Sequence, residues 1–129
     1  MKSKKKDRLS RRESQIIEVV YRLGEATVAD IAAQIPEKIG MSSISKFLWL
    51  LEEKGLVAHQ RSGKRNVYRP ALPPEQASEK PLQSLMKTFF QGSAATTVVA
   101  LLNQSRDRLS DDEIDDLFDL IKQFKERGK

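Results

Sequence analysis

Along this chain, short apolar stripes alternate with polar punctuation, and the spacing of each stripe names an element. Ile16, Ile17, Val20 and Leu23 recur at helical intervals. Ser10-Arg-Arg-Glu13 ahead of them is a capping box, in which each side chain can satisfy the other residue's free backbone N–H. Gly24 stands where a left-handed C-cap belongs, so a helix is predicted over 11–23. Thr27-Val-Ala-Asp30 is a second box, leading into Val28, Ile31, Ala32 and Ile35, and Pro36 stops that helix after about eight residues. Residues 37–41 form a short connection containing Gly40. A third helix is expected to be capped by Ser42 or Ser43, to carry Ile44, Phe47, Leu48 and Leu51 on one face, and to end at Gly55. Two strand-like runs, 56–60 and 66–69, flank the turn-forming Arg61-Ser-Gly-Lys-Arg65 with Gly63 at its tip. Three short helices followed by a β-hairpin is the order of a winged helix-turn-helix.

Pro70, Pro73 and Pro74 close this first unit, and the pattern beyond them is amphipathic helix without strands. Leu82, Leu85, Met86, Phe89 and Phe90 make one stripe, which Gly92 interrupts. Val98, Leu101 and Leu102 make a second, with Ala94 and Ala95. Ser110-Asp-Asp-Glu113 is a third capping box, its acids favourably placed for the helix dipole, and it opens a last helix bearing Ile114, Leu117, Phe118 and Ile121. A segment of about 55 residues with three such helices encloses too little core to stand alone. The stripes therefore need cover, either from the same segment of a second chain in a two-fold dimer or from the chain's own winged helix. The expected fold class is mostly α with a small β-wing. The expected organisation is a basic disordered tail over 1–8, a winged helix DNA-binding domain over 9–72 and a helical dimerisation domain over 73–129.

Composition narrows the chemistry. The 129 residues include no cysteine and one histidine, which removes disulfides, thiolate metal sites and cysteine nucleophiles, and fits a reducing cytoplasm. No apolar run approaches the roughly 20 residues a bilayer span needs, and the basic N-terminus lacks the apolar stretch of a secretory signal. No nucleophile–base pair, glycine-rich phosphate loop or metal-ligand spacing is present, and the acids at 111–119 read as a solvated helix face. An enzyme is not expected, nor a cofactor or a metal.

The net charge of +5 is unevenly spread. Residues 1–70 hold 15 Lys and Arg against 8 Asp and Glu, a balance of +7, whereas 71–129 hold 8 against 10, a balance of −2. A basic front half points to a polyanion, most commonly nucleic acid. With the apolar face of the third helix inward, Ser42, Ser43, Ser45, Lys46, Trp49 and Glu53 fall on or near the outward face that would enter a major groove. Hydroxyls and an ammonium can contact phosphates or base edges, but the bidentate arginine–guanine contact is absent from this face. Trp49 either covers the junction with the first helix or lies along a DNA backbone. Arg61, Lys64 and Arg65 put three cations around the hairpin tip, where they would displace counterions along the flanking groove, with Arg11, Arg12 and the Lys4–Lys6 tail adding phosphate contacts at the edge. Tyr68 is expected to pack at the base of the wing, and His59 to be a packed or hydrogen-bonded residue, not a ligand.

Read together, Leu9-Ser-Arg-Arg-Glu-Ser-Gln-Ile-Ile, Ala26-Thr-Val-Ala-Asp-Ile, Leu51-Glu-Glu-Lys-Gly-Leu-Val and Val67-Tyr-Arg-Pro70 resemble the BlaI/MecI/CopY (penicillinase repressor) family of bacterial transcriptional repressors. Phe89-Phe-Gln-Gly-Ser-Ala and Leu109-Ser-Asp-Asp-Glu-Ile-Asp-Asp-Leu are similar to that family's aromatic-Gly-Ser turn and closing acidic helix, so the likeness spans about 9–124. The resemblance implies homodimers that pair through the C-terminal helices and repress a promoter by binding a palindromic double-stranded DNA operator with their winged helices. Two departures limit what carries over of the family's switches: the Asn-Phe bond cut in members with a β-lactam signal is matched by Leu102-Asn103, which leaves the use of proteolysis open, and the cysteine cluster of copper-responsive members is missing. The inducer, small molecule or protein, is left unassigned. Positions 42, 43 and 45, often Lys, Thr and Arg in relatives, are all serine, which implies a different operator. The competing reading is a protein-interaction module that uses exposed Trp49 and Leu50 as an apolar patch. The basic wing and tail separate the two, because a protein-binding module does not need them.

Overall fold

The computed structural model describes residues 8–128; the Lys4–Lys6 tail lies outside them. The chain divides into two compact units, Met1–Leu82 and Gln83–Lys129.

In the first unit, α1 (Arg11–Leu23) opens on the Ser10/Glu13 box, with both reciprocal hydrogen bonds formed, and closes on Gly24 at φ 82°. α2 (Val28–Gln34) opens on the Thr27/Asp30 box, again with both bonds formed. α3 (Met41–Glu53) starts earlier than its serines suggest. Its N-cap is Gly40, whose carbonyl accepts from the Ile44 N–H at 3.1 Å with no side-chain cap. Glycine is only slightly worse than serine as an N-cap. Opening there leaves Ser42 and Ser43 inside the first turn with exposed side chains.

The hairpin is also longer than its sequence pattern implied. β1 (Val57–Ser62) pairs antiparallel with β2 (Arg65–Pro70), and the register runs from Val57↔Pro70 to Ser62↔Arg65. Gly63, at φ 64°, lets Gly63-Lys64 close the turn in two residues. Arg61 and Arg65 consequently sit on strands and not in a loop. A single bridge between Ala26 and Tyr68 adds a third short rung, with N–H···O distances of 2.8 Å in both directions.

The core lies among these elements. Ile16, Val20, Ile31, Ile44, Leu48, Leu51 and Val57 are fully enclosed, and Tyr68 is buried on the wing side, in keeping with the packing role expected for it. Every described residue that is buried lies between Glu13 and Tyr68. Tyr21 donates its hydroxyl to the Leu72 carbonyl at 2.8 Å and so ties α1 to the chain leaving the wing. The short α4 (Pro74–Ala77) follows, which the prolines alone did not reveal as helix.

α5 (Glu79–Phe90) carries the chain from the first unit into the second. It ends where Gln91 and Gly92 both adopt left-handed φ, 53° and 79°. Ser93 then caps α6 (Ala94–Gln104) by accepting from the Thr96 N–H at 3.1 Å. The Ser110/Glu113 box opens α7 (Asp111–Arg127) with both bonds formed. No residue of α5, α6 or α7 is buried. Leu82, Leu85, Val98, Leu101, Leu102, Ile114, Leu117, Phe118 and Ile121 are exposed, while Met86 and Phe90 are half-covered. Phe89 and Phe118, at 73% and 71% exposure, are the most open of these side chains. Val99, Leu120 and Phe124 are exposed as well. Of these, Phe124 continues the α7 stripe three residues beyond Ile121, a position the helical period alone would have supplied. No single helix among the described residues is long and apolar enough to cross a membrane.

Candidate nucleic-acid interface

The outward face of α3 follows from its inward one. With Ile44, Leu48 and Leu51 enclosed, the 100° step per residue turns Ser42, Ser45, Lys46, Trp49 and Glu53 to solvent, and each is exposed. Ser43, also exposed, joins them in the first turn. Phe47 is half-buried against the core, and Leu50 is half-buried too.

Trp49 is 60% exposed. Of the two places open to it, the junction with the first helix is not the one it occupies. It borders a shallow groove of about 550 Å³ between α3 and the hairpin, lined also by Ser45, Glu52, Glu53, His59, Asn66 and Tyr68. The junction near the start of α1 is occupied instead by Phe47, in a second hollow of about 520 Å³ lined by Ser10, Arg11, Arg12 and Glu37. Half-buried Phe47 is the apolar side chain lining that hollow, whereas the indole lies with the hairpin residues of the other.

The strand register sorts the wing cations. Arg61↔Asn66, His59↔Tyr68 and Val57↔Pro70 share one face, the face that carries the buried Val57 and Tyr68. Ser62↔Arg65, Gln60↔Val67 and Ala58↔Arg69 share the other. Arg61 is therefore on the groove side, Arg65 on the opposite side and Lys64 in the turn. The Arg61 Nε donates to the Gly63 carbonyl at 3.3 Å and braces the turn. Arg69 donates to the Gln60 side chain at 3.0 Å on the outer face. Lys46, Arg61 and Lys64 form no ion pair among the described residues, which leaves their charge for an external anion. Arg12 differs: it donates to Gln15 at 2.6 Å and lies 3.7 Å from Glu37. Glu37 is held below the ordinary carboxylate range, first by its hydrogen bond from Gln15 and further by Arg12 and Arg11. Asp30 is likewise lowered, chiefly by the Thr27 backbone N–H and hydroxyl and in part by the charge of Arg65.

Two polar links absent from any local motif brace the α3 and wing surface. The Nδ1 of His59 lies 2.6 Å from Glu52 Oε1, and its ring sits 5.4 Å from that of Tyr68, so the start of the wing is fastened to the end of α3. At the other side Lys54, the residue after α3, donates to both carboxylate oxygens of the buried Glu13 at 2.9 Å and to the Arg8 carbonyl at 2.7 Å. No periodicity links residues 41 positions apart; only the capping box hinted that Glu13 was structural. Among the described residues no group of acids and histidine could hold a metal ion.

Three helices and a wing, with the third helix exposing a polar face flanked by unpaired cations, define a winged helix-turn-helix transcriptional regulator. The family model described as penicillinase repressor matches residues 9–123, and the chain belongs to that family. The penicillinase repressor of Bacillus licheniformis is 24% identical over 128 residues, covering 98% of each chain. The crystal structure of M. tuberculosis Rv0081 shares the fold, with a TM-score of 0.51 and 21% identity over 78% of this chain and 86% of that one. A possible transcriptional regulator for arsenical resistance is 31% identical, covering 67% of this chain and 82% of that one at a TM-score of 0.46. Repression of transcription through DNA is thus the activity of the class, and the family is one of regulators and not of enzymes.

Proposed function

We propose that the protein represses transcription in the cytoplasm as a homodimer bound to a palindromic operator in duplex DNA. The observation that carries the dimer is the state of the C-terminal half. Its three helices bury no residue, and leucines, isoleucines and phenylalanines from Leu82 to Phe124 stand in water. Covering such surface is favourable by about 25 cal/mol per Å², so a second copy presenting the same stripes is the natural cover. In this reading the dimerisation set is Leu82, Leu85, Met86, Phe89, Phe90, Val98, Leu101, Leu102, Ile114, Leu117, Phe118 and Ile121, to which the exposure of Phe124 adds one more.

In the same reading α3 enters the major groove through Ser42, Ser43, Ser45, Lys46 and Trp49. Lys64 and Arg65 engage flanking phosphates from the wing, Arg61 does so from its inner side, and Arg11 and Arg12 add contacts at the edge. Two-fold pairing of the protein is mirrored by two half-sites about 10 base pairs apart or a multiple of that. The test is selection from random duplex DNA at about 150 mM salt, where non-specific binding is suppressed, with light scattering on the same sample. The expected result is a two-fold symmetric motif bound by a particle of twice the 14.7 kDa chain mass. Binding at low salt with no enriched motif would overturn the operator reading and favour a protein-interaction surface around Trp49 and Leu50.

A further inference from the structure

The proposed operator contact leaves open what the α3 face reads, and Trp49 answers it. We propose that Trp49 is a specificity-determining residue that packs its indole on the C5-methyl of a thymine in each half-site, an inference that rests on the duplex-DNA reading above. Residues 41–53 contain no arginine and a single lysine, so the bidentate guanine contact is absent from the helix that would enter the groove. The largest group on that face is instead an apolar one. Trp49 is 60% exposed, between Ser45, one turn back, and Glu53, one turn on, and it borders the groove with His59 and Asn66 of the wing.

Charge around the indole fits a nucleic-acid occupant: Lys46 lies on the same helix, Arg61 on the groove-side face of the hairpin and Lys64 at its tip, all without an internal ion pair among the described residues. The one apolar feature of a major groove is the thymine methyl. The acids beside the indole add an acceptor without choosing between A·T and G·C pairs. Glu52 is engaged by His59 at 2.6 Å, which leaves Glu53 as the open carboxylate. A carboxylate only accepts hydrogen bonds, and base-edge amino donors in the major groove belong to adenine and cytosine. A face with an exposed indole and no arginine therefore favours a half-site that offers a thymine methyl over one read by arginine at guanine.

Trp49 is the only tryptophan in the chain, which gives two independent readouts. The first uses the duplex selected from random sequence, with each thymine replaced in turn by deoxyuridine, which deletes one methyl group. Loss of one buried methyl weakens binding roughly fourfold per half-site. The expected result is that loss at one thymine per half-site for the unmodified protein, sensitivity retained in Trp49→Phe, and a weaker-binding Trp49→Ala that no longer distinguishes uracil from thymine there. The second readout is intrinsic fluorescence, which is expected to be quenched by the selected duplex. Uniform tolerance of uracil by the unmodified protein, a selected half-site without thymine, a Trp49→Ala variant as methyl-sensitive as the parent, or emission unchanged on binding would each overturn the assignment. Trp49 lies outside the core, so circular dichroism of the variants is expected to match the parent. If Trp49→Ala fails to fold, the uracil scan of the parent and of Trp49→Phe still decides. Selection of no motif at all would instead bring down the operator reading itself, so the two failures are separable.

Discussion

Glu13 shows how one residue can serve two structures at once. Its carboxylate accepts the Ser10 N–H at 2.8 Å, completing the α1 cap, and both its oxygens accept from Lys54 at 2.9 Å, fastening α1 to the end of α3. Burial pushes its pKa up, but the hydrogen bonds from Ser10 and Lys54 outweigh burial and leave it below its ordinary value of 4.5. The folded state therefore binds this proton less readily than the unfolded state. The stabilisation is complete above the ordinary carboxylate range and is lost as pH falls through the lowered folded value. Glu13→Gln keeps the shape but gives up the charge-assisted bonds, which are worth about 2 kcal/mol. Urea denaturation of the parent and the variant is expected to differ by about that amount at pH 7 and by progressively less at a pH below the ordinary carboxylate range. An equal gap at both pH values would mean that the carboxylate's charge contributes no stability.

In the proposed operator complex, the wing and α3 make separable contributions. Lys64, at the turn, has no base to read from there, so Lys64→Ala is expected to weaken binding to every duplex alike and to reduce the salt slope by about one phosphate contact. Ser45→Ala and Lys46→Ala on α3 are expected to change the ranking of sequences, with a cost of about 1–3 kcal/mol confined to particular base pairs. Competition titrations against a panel of single-base variants at two salt concentrations check both. A wing substitution that altered ranking while the helix substitutions did not would reverse the assigned roles. These elements were largely readable from local chemistry: three capping boxes set three helix starts, and the apolar period set which face of each helix turns inward. The start of α3 escaped because Gly40 caps it with backbone alone, which no side chain announces. Arg61 and Arg65 were misplaced into a loop because the conformation of Gly63 shortens the turn to two residues. The Glu52–His59 and Glu13–Lys54 links were invisible because they depend on tertiary proximity, which spacing along one helix does not encode.

At the scale of the whole molecule, stability and assembly are assigned to different parts of the chain. All described buried residues lie between Glu13 and Tyr68, whereas the large exposed side chains from Leu82 to Phe124 lie on α5, α6 and α7. A charge placed on the second set therefore touches no core. Phe118 is 71% exposed on α7, and Phe118→Asp is expected to leave the winged helix folded, with the cooperative unfolding of its core intact. In a dimer the same substitution buries a carboxylate without a partner, which costs several kcal/mol for each copy. Light scattering is expected to show a monomer at concentrations where the proposed dimer forms for the parent. The consequence for DNA follows from linkage of sites. Two winged helices held in one particle make the second half-site encounter intramolecular, an advantage on the order of a hundredfold or more, so the monomeric variant is expected to lose at least that much operator affinity. Its affinity for an isolated half-site is expected to match that of the parent, because α3 and the wing are unaltered. A Phe118→Asp protein that remained dimeric would remove α7 from the interface, and a monomer with undiminished operator affinity would show that each winged helix reads its half-site alone.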